Sequence, residues 1–148
     1  MVMGRPRRTT SRTVGYAGGT VSETAFESRM RALVAQHLRA GMRLSVRGAL
    51  ALLRVNVRSL GTARRIAIQQ IARAHTQRVA EWLDARPDVQ TYARTAETPR
   101  AQAWALRAAA TVRSDELRGI DFEAVDWRTI AENALRKKSV AREVADRP

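Results

Sequence analysis

The chain has 148 residues, no cysteine and a formal charge of +13, from 27 Lys and Arg against 14 Asp and Glu. That length allows one domain with tails, and the missing cysteines exclude a disulfide scaffold and a thiolate metal site. A hydrophobic content of 45% is enough for a core, so the chain is more than a disordered basic tail, whereas 5% aromatic residues argue against a stacking platform for single strands.

Residues 1–21 carry Gly4, Gly15, Gly18 and Gly19 with several Ser and Thr, which predicts a flexible basic arm. This stretch is Arg-rich and free of acids, a composition shared with mitochondrial transit peptides, but it has no apolar run that would make it a secretory signal. The Thr24–Glu27 spacing fits a capping box. Phe26, Met30, Leu33, Val34 and Leu38 then form one helical stripe closed by Gly41. Ser45 is placed to cap a short helix over 46–53, and Asn56 a third helix from Val57. No proline interrupts that third helix before Pro87, so it could reach Ala85, with a possible bend near Arg73. Ile68, Ile71, His75, Val79, Trp82 and Leu83 give it an apolar face.

Beyond Arg86-Pro87-Asp88, a short helical turn over 89–95 is expected. Thr98-Pro99 then supplies a cap and a first-turn proline for an Ala-rich helix over 100–117, with Trp104, Ala108 and Val112 on one side. After Gly119-Ile120-Asp121, a last helix should run from Phe122 or Asp126 to Lys138, burying Trp127, Ile130 and Ala134. No long period-two alternation is visible, so the fold class is all-α, and no run approaches the ~20 apolar residues of a membrane span. The expected organisation is a basic arm at 1–21, a basic helical domain at 22–85 and a neutral helical region at 86–148.

Charge follows the same division. Residues 1–80 hold 15 Arg against Glu23 and Glu27, and residues 81–148 hold 12 basic and 12 acidic residues. The whole excess of +13 lies in the first half. A split of this kind points to one half facing a polyanion.

Residues 45–66 carry Ser45, Ala49 and Leu50, then Leu52-Leu53-Arg54-Val55-Asn56, then Leu60. This spacing resembles the bacterial helix-turn-helix family. The resemblance implies that Leu52 and Leu53 face the core, Val55 fills the turn, Asn56 caps and Leu60 anchors a recognition helix inward. Arg54 stands where that family commonly has a turn glycine, and Leu50 where alanine is usual. The exposed set would then be Arg58, Ser59, Thr62, Arg64 and Arg65, with Arg47 and Arg54 beside it. Arginine can grip guanine in the major groove, and the hydroxyls can donate to bases or phosphates.

Gly4-Arg5-Pro6-Arg7-Arg8 looks like an AT-hook core. That likeness implies Arg5, Arg7 and Arg8 entering a narrow minor groove next to the helix-turn-helix. Over residues 101–145, Trp104, Val112-Arg113, Leu117, Ile120-Asp121, Val125-Asp126-Trp127 and Ile130-Ala131-Glu132 resemble the bacterial family known as domain of unknown function twenty-nine. That family has no assigned chemistry. Asn133 stands where the resemblance has a second Glu, several residues are inserted before Asp126, and the family's downstream portion has no counterpart.

Catalysis finds little support. His37 and His75 sit on or beside apolar stripes, where packing is their simplest role. Asp115, Glu116, Asp121, Glu123 and Asp126 do not have calcium-loop spacing, and helix starts account for them more simply. Trp82, Trp104 and Trp127 read as core or interface anchors. The sequence therefore predicts a cytoplasmic, non-enzymatic, sequence-reading DNA-binding protein. It would have no cofactor, metal or membrane contact, would prefer DNA to RNA, and would self-associate through its C-terminal helices. Two alternatives stand beside this: a phage-type packaging or virion component with non-specific nucleic-acid contact, and a helical adaptor with no nucleic-acid role.

Overall fold

The computed structural model describes residues 12–135. Helices dominate them: α1 Glu23–Arg39, α2 Val46–Leu52, α3 Leu60–Asp84, α4 Pro87–Arg94, α5 Pro99–Val112 and α6 Trp127–Ile130, the last running into a π-helical turn at Ala131–Leu135. Short 3-10 turns lie at Val57–Ser59, Ser114–Glu116 and Phe122–Ala124. The helical fold class expected from periodicity is what the chain adopts, with one small addition.

That addition corrects the expected arm. Residues Thr13–Tyr16 (β1) and Gly19–Ser22 (β2) pair antiparallel, with Val14 opposite Val21 and Tyr16 opposite Gly19. Val14 is fully buried, and the Tyr16 ring meets Phe26 edge-on at 5.4 Å. Strands of four residues are too short for alternation to register as a pattern, and what holds them is tertiary. Gly15 of β1 and Ala17 just after it bond to residues 53–59. Residues 1–11, with Arg5, Arg7, Arg8 and the AT-hook-like string, lie outside the described residues.

The hairpin also moves the start of α1. Ser22 ends β2 with extended backbone, and its Oγ accepts the Ala25 amide at 3.1 Å. The cap therefore falls two residues before Thr24, which is already helical. At the other end the Gly41 amide bonds to the Leu38 carbonyl and the Met42 amide to that of His37, at 3.0 and 2.9 Å. Gly41 sits at φ 66°, the left-handed conformation this double closure requires.

Two hydrophobic clusters form. One joins Val14 to Phe26, Met30, Leu33 and Val34 of α1, to Leu44, Ala49 and Leu53, and to Ala63, Ile66, Ala67 and Ile71 of α3. The other joins Val79, Trp82 and Leu83 of α3 to Val89, Leu106, Ile120, Trp127, Ile130 and Leu135. α3 is common to both. It spans 25 residues without a break at Arg73, about 37 Å at 1.5 Å per residue. The second core thus begins inside α3, several residues before the boundary expected at 86.

The C-terminal half differs from expectation in its details. Thr98 caps α5 by accepting the Ala101 amide at 3.1 Å, and Pro99 opens the helix, as its sequence signals. But α5 ends at Val112 and buries Ala105, Leu106 and Ala110. Trp104 and Val112 are 72% and 83% exposed, so this tryptophan is no core anchor. Alanines lie on both sides of α5 and do not mark which side packs. Ile68, Leu52 and Leu60 are also exposed, although each was expected to face inward. Among the described residues no helix is long and apolar enough to cross a membrane.

Candidate nucleic-acid interface

The segment from α2 to the start of α3 is built as follows. Ser45 is extended, and its Oγ accepts the Gly48 amide at 2.9 Å, which starts α2 one residue later. At the other end the Arg54 amide bonds to the Ala51 carbonyl at 3.1 Å, and the Val55 amide to that of Leu50 at 3.2 Å. This closure is of the same kind as the one at Gly41, and its central residue must be left-handed. That residue is Arg54, at φ 52°, the one non-glycine residue with positive φ among those described. The departure noted in the sequence, arginine where a turn glycine is usual, is real in conformation as well as in identity.

Strand β1 pins this turn. The Ala17 amide bonds to the Leu53 carbonyl at 3.0 Å, and the Asn56 amide to that of Gly15 at 2.8 Å. The Ser59 Oγ accepts the Gly15 amide at 2.9 Å. Ser59 therefore supports the hairpin from a half-buried position, a correction to its expected role as an exposed base reader. Asn56 makes no side-chain cap bond; the chain passes through a 3-10 turn before α3 begins at Leu60.

The arginines divide into two groups. Arg65 donates to Glu23 Oε1 at 2.8 Å, so its charge is shared. Arg47, Arg54, Arg58 and Arg64 are exposed and form no ion pair among the described residues. Thr62 is half-buried, and so less available than expected. Arg47, Arg54 and Arg64 surround one groove of about 610 Å³ between α2 and the start of α3. Its floor is apolar, with Val46, Leu50, Val55 and Leu60. Leu60 is 40% exposed there, instead of anchoring the helix inward. Its apolar character alone could not show this, because either side of α3 would accept a leucine.

Several charges of the neutral half are paired in place. Arg86 pairs with Glu116, which also accepts the Trp82 indole Nε1–H at 2.8 Å. The indole hydrogen bond, with Arg86 beside it, holds the Glu116 carboxyl below the usual range. Arg107 pairs with Glu123, Arg113 with Asp88 and Arg128 with Glu132. Asp121 accepts the Glu123 amide and pairs with Arg43, and Asp126 caps α6 through the Thr129 amide. Glu116, Asp121, Glu123 and Asp126 of the acidic cluster are thus occupied with caps and ion pairs. Among the described residues no group of three His, Asp or Glu is placed to hold a metal.

His75 lies in α3 between the two cores and is 1% exposed. Its Nδ1 accepts the Asp121 amide at 3.0 Å. Burial lowers its pKa, and the nearby Asp121 charge opposes that shift only in part.

No protein-family model matches the chain, and no curated protein or solved structure is significantly similar to it.

Proposed function

We propose that this chain binds duplex DNA through the face formed by α2, its turn and the start of α3. The observation that carries the reading is that the charge asymmetry of the sequence survives folding as unpaired arginines. Among the described residues Arg47, Arg54, Arg58 and Arg64 form no ion pair and lie on one segment, whereas Arg86, Arg107, Arg113 and Arg128 of the second half are each paired. Guanidinium groups left without a partner at a surface suit phosphate, which they grip through parallel hydrogen bonds. Neutralising four phosphates corresponds to a log–log salt slope of about −3.6. Arg5, Arg7 and Arg8 would add to the slope if they also reach the duplex. Arg58 and Arg64 are the candidates for base reading, with Thr62 next to them. The helix-turn-helix reading draws support from the left-handed Arg54 turn, and a cytoplasmic, binding-only protein goes with it.

A second reading, a non-specific nucleic-acid clamp of the packaging type, is favoured by the commitment of Ser59 to Gly15 and the half-burial of Thr62. Both make those hydroxyls less available for reading bases. Selection from a random duplex library at about 150 mM salt tests the two together. An enriched motif lost in Arg58→Ala/Arg64→Ala supports a reader. Uniform, salt-sensitive binding supports a clamp. Affinity independent of salt, or no duplex binding at low salt, rejects both.

Self-association belongs to the same proposal. Trp104, Ala108 and Val112 form one stripe on α5, and Tyr92 on α4 is 51% exposed. A second copy would cover these rings and present two reading faces to half-sites about 34 Å apart. Sedimentation of wild type against Trp104→Ser measures it; identical monomer masses would reject it.

A further inference from the structure

The groove between α2 and the start of α3 has a feature that phosphate binding leaves unused. Its floor is apolar: Val46, Leu50, Val55 and Leu60 line it. A sugar–phosphate backbone offers little to cover such a floor. The rim is Arg47, Arg54 and Arg64, and no carboxylate of the described residues lines the groove. On α2, Val46 and Leu50 are one turn apart, with Arg47 to the side and Arg54 in the turn that follows. On α3, Leu60 and Arg64 are one turn apart. Two short helical faces thus enclose an apolar trough flanked by cations, and α2 extends it over about 10 Å, or two turns of a docked helix.

We propose that this groove docks an acidic amphipathic helix of a partner protein, with apolar anchors on the floor and carboxylates against the three arginines. An amphipathic helix laid in an apolar groove is a recurring recognition mode, and here the charge of the rim fixes the sign of the partner. The same sign argues against the chain's own segments as occupants. Residues 1–11 hold three arginines and no acid, and residues 136–148 hold five basic residues against Glu143 and Asp146. A second copy brings a first half of charge +13 and a second half of zero net charge, so neither half is acidic. The occupant is therefore a different, acidic chain. Because it engages Arg47, Arg54 and Arg64, it competes with any DNA held by them. The docking itself does not rest on the DNA reading.

The test uses the full chain and a labelled synthetic helical peptide with Leu at positions i, i+4 and i+7 and Glu between them, followed by fluorescence anisotropy. The expected result is saturable binding that weakens with salt. Leu60→Ser should lose about tenfold or more, the scale of one leucine's burial. A peptide with Ser for Leu, or Lys for Glu, should not bind. The variant Arg47→Glu/Arg64→Glu should lose the Glu peptide and gain the Lys peptide, which guards against misreading a folding defect. Equal binding of the Leu-free peptide, an unaffected Leu60→Ser protein, or no binding at 100 μM would each overturn the proposal. Duplex DNA binding is measured in parallel without peptide. A Leu60→Ser protein that keeps duplex affinity while losing the peptide separates the two ligands. Peptide binding with no duplex binding upholds the docking and rejects the DNA reading.

Discussion

Replacing Arg54 by Gly should make the protein more stable and a weaker anion binder at once. Arg54 holds φ 52° because the Arg54 and Val55 amides must both turn back to α2 carbonyls. A non-glycine residue in that conformation costs about 1–2 kcal/mol, and glycine removes the cost. Glycine also loosens the unfolded chain, which offsets about 0.5–1 kcal/mol of the gain. The arginine side chain is exposed and makes no ion pair among the described residues, so little packing is lost with it. The net expectation is about 0.5–1 kcal/mol of added stability, or about 1–4 °C in Tm for a chain of this size. On the binding side, loss of one phosphate contact should make the salt slope shallower by about 0.9. Urea denaturation and duplex titrations across salt measure the two effects on one preparation, with Arg54→Lys as the control that keeps both charge and backbone cost. A Gly variant less stable than wild type would refute the argument that the turn is strained.

Other outcomes follow from single contacts. Ser59→Ala leaves the part-buried Gly15 amide without an acceptor, so it should cost about 1–3 kcal/mol in urea unfolding while leaving the salt slope of DNA binding unchanged. His75 should make stability depend on pH. Its folded-state pKa is lowered, so its contribution is complete above the ordinary value of 6.5 and is lost as pH falls through the lower folded-state value. Tm measured from pH 8 to pH 5 should fall in wild type, and less in His75→Gln. The tryptophans should separate sharply. Trp104→Ser should change the stability of the monomer by less than about 0.5 kcal/mol. Trp127→Ala, which removes a buried ring bonded to the Phe122 carbonyl, should cost about 3–5 kcal/mol.

Much of the helical layout was legible in the sequence because its signals are local. Ser45, Thr98 and Asp126 cap the helices they precede, Gly41 closes α1, and the proline-free run from 57 to 86 is occupied by the 3-10 turn and α3. Faces were legible only where large and small residues contrast. The stripe Phe26, Met30, Leu33, Val34 is buried as its spacing predicts. On α5 alanines lie all round, so spacing pointed to the Trp104 side while Leu106 and Ala110 pack. Leu52 and Leu60 are a different case. Each is apolar and at helical spacing, yet each is exposed, Leu60 at the groove.

The sequence alone determined the composition of the candidate site: an arginine-rich first half with almost no acids, a capped short helix, and an arginine where a turn usually takes glycine. These are properties of residue identity and of neighbours within about four positions, and no fold is needed to read them. Only the tertiary structure decided which arginines are free and which side chains are already in use. Glu23 reaches Arg65 across 42 residues, and Ser59 reaches Gly15 across 44. Such pairings are set by how β1, α1 and α3 pack, and the energy that fixes them is burial of Val14, Phe26 and Ile66 in a common core.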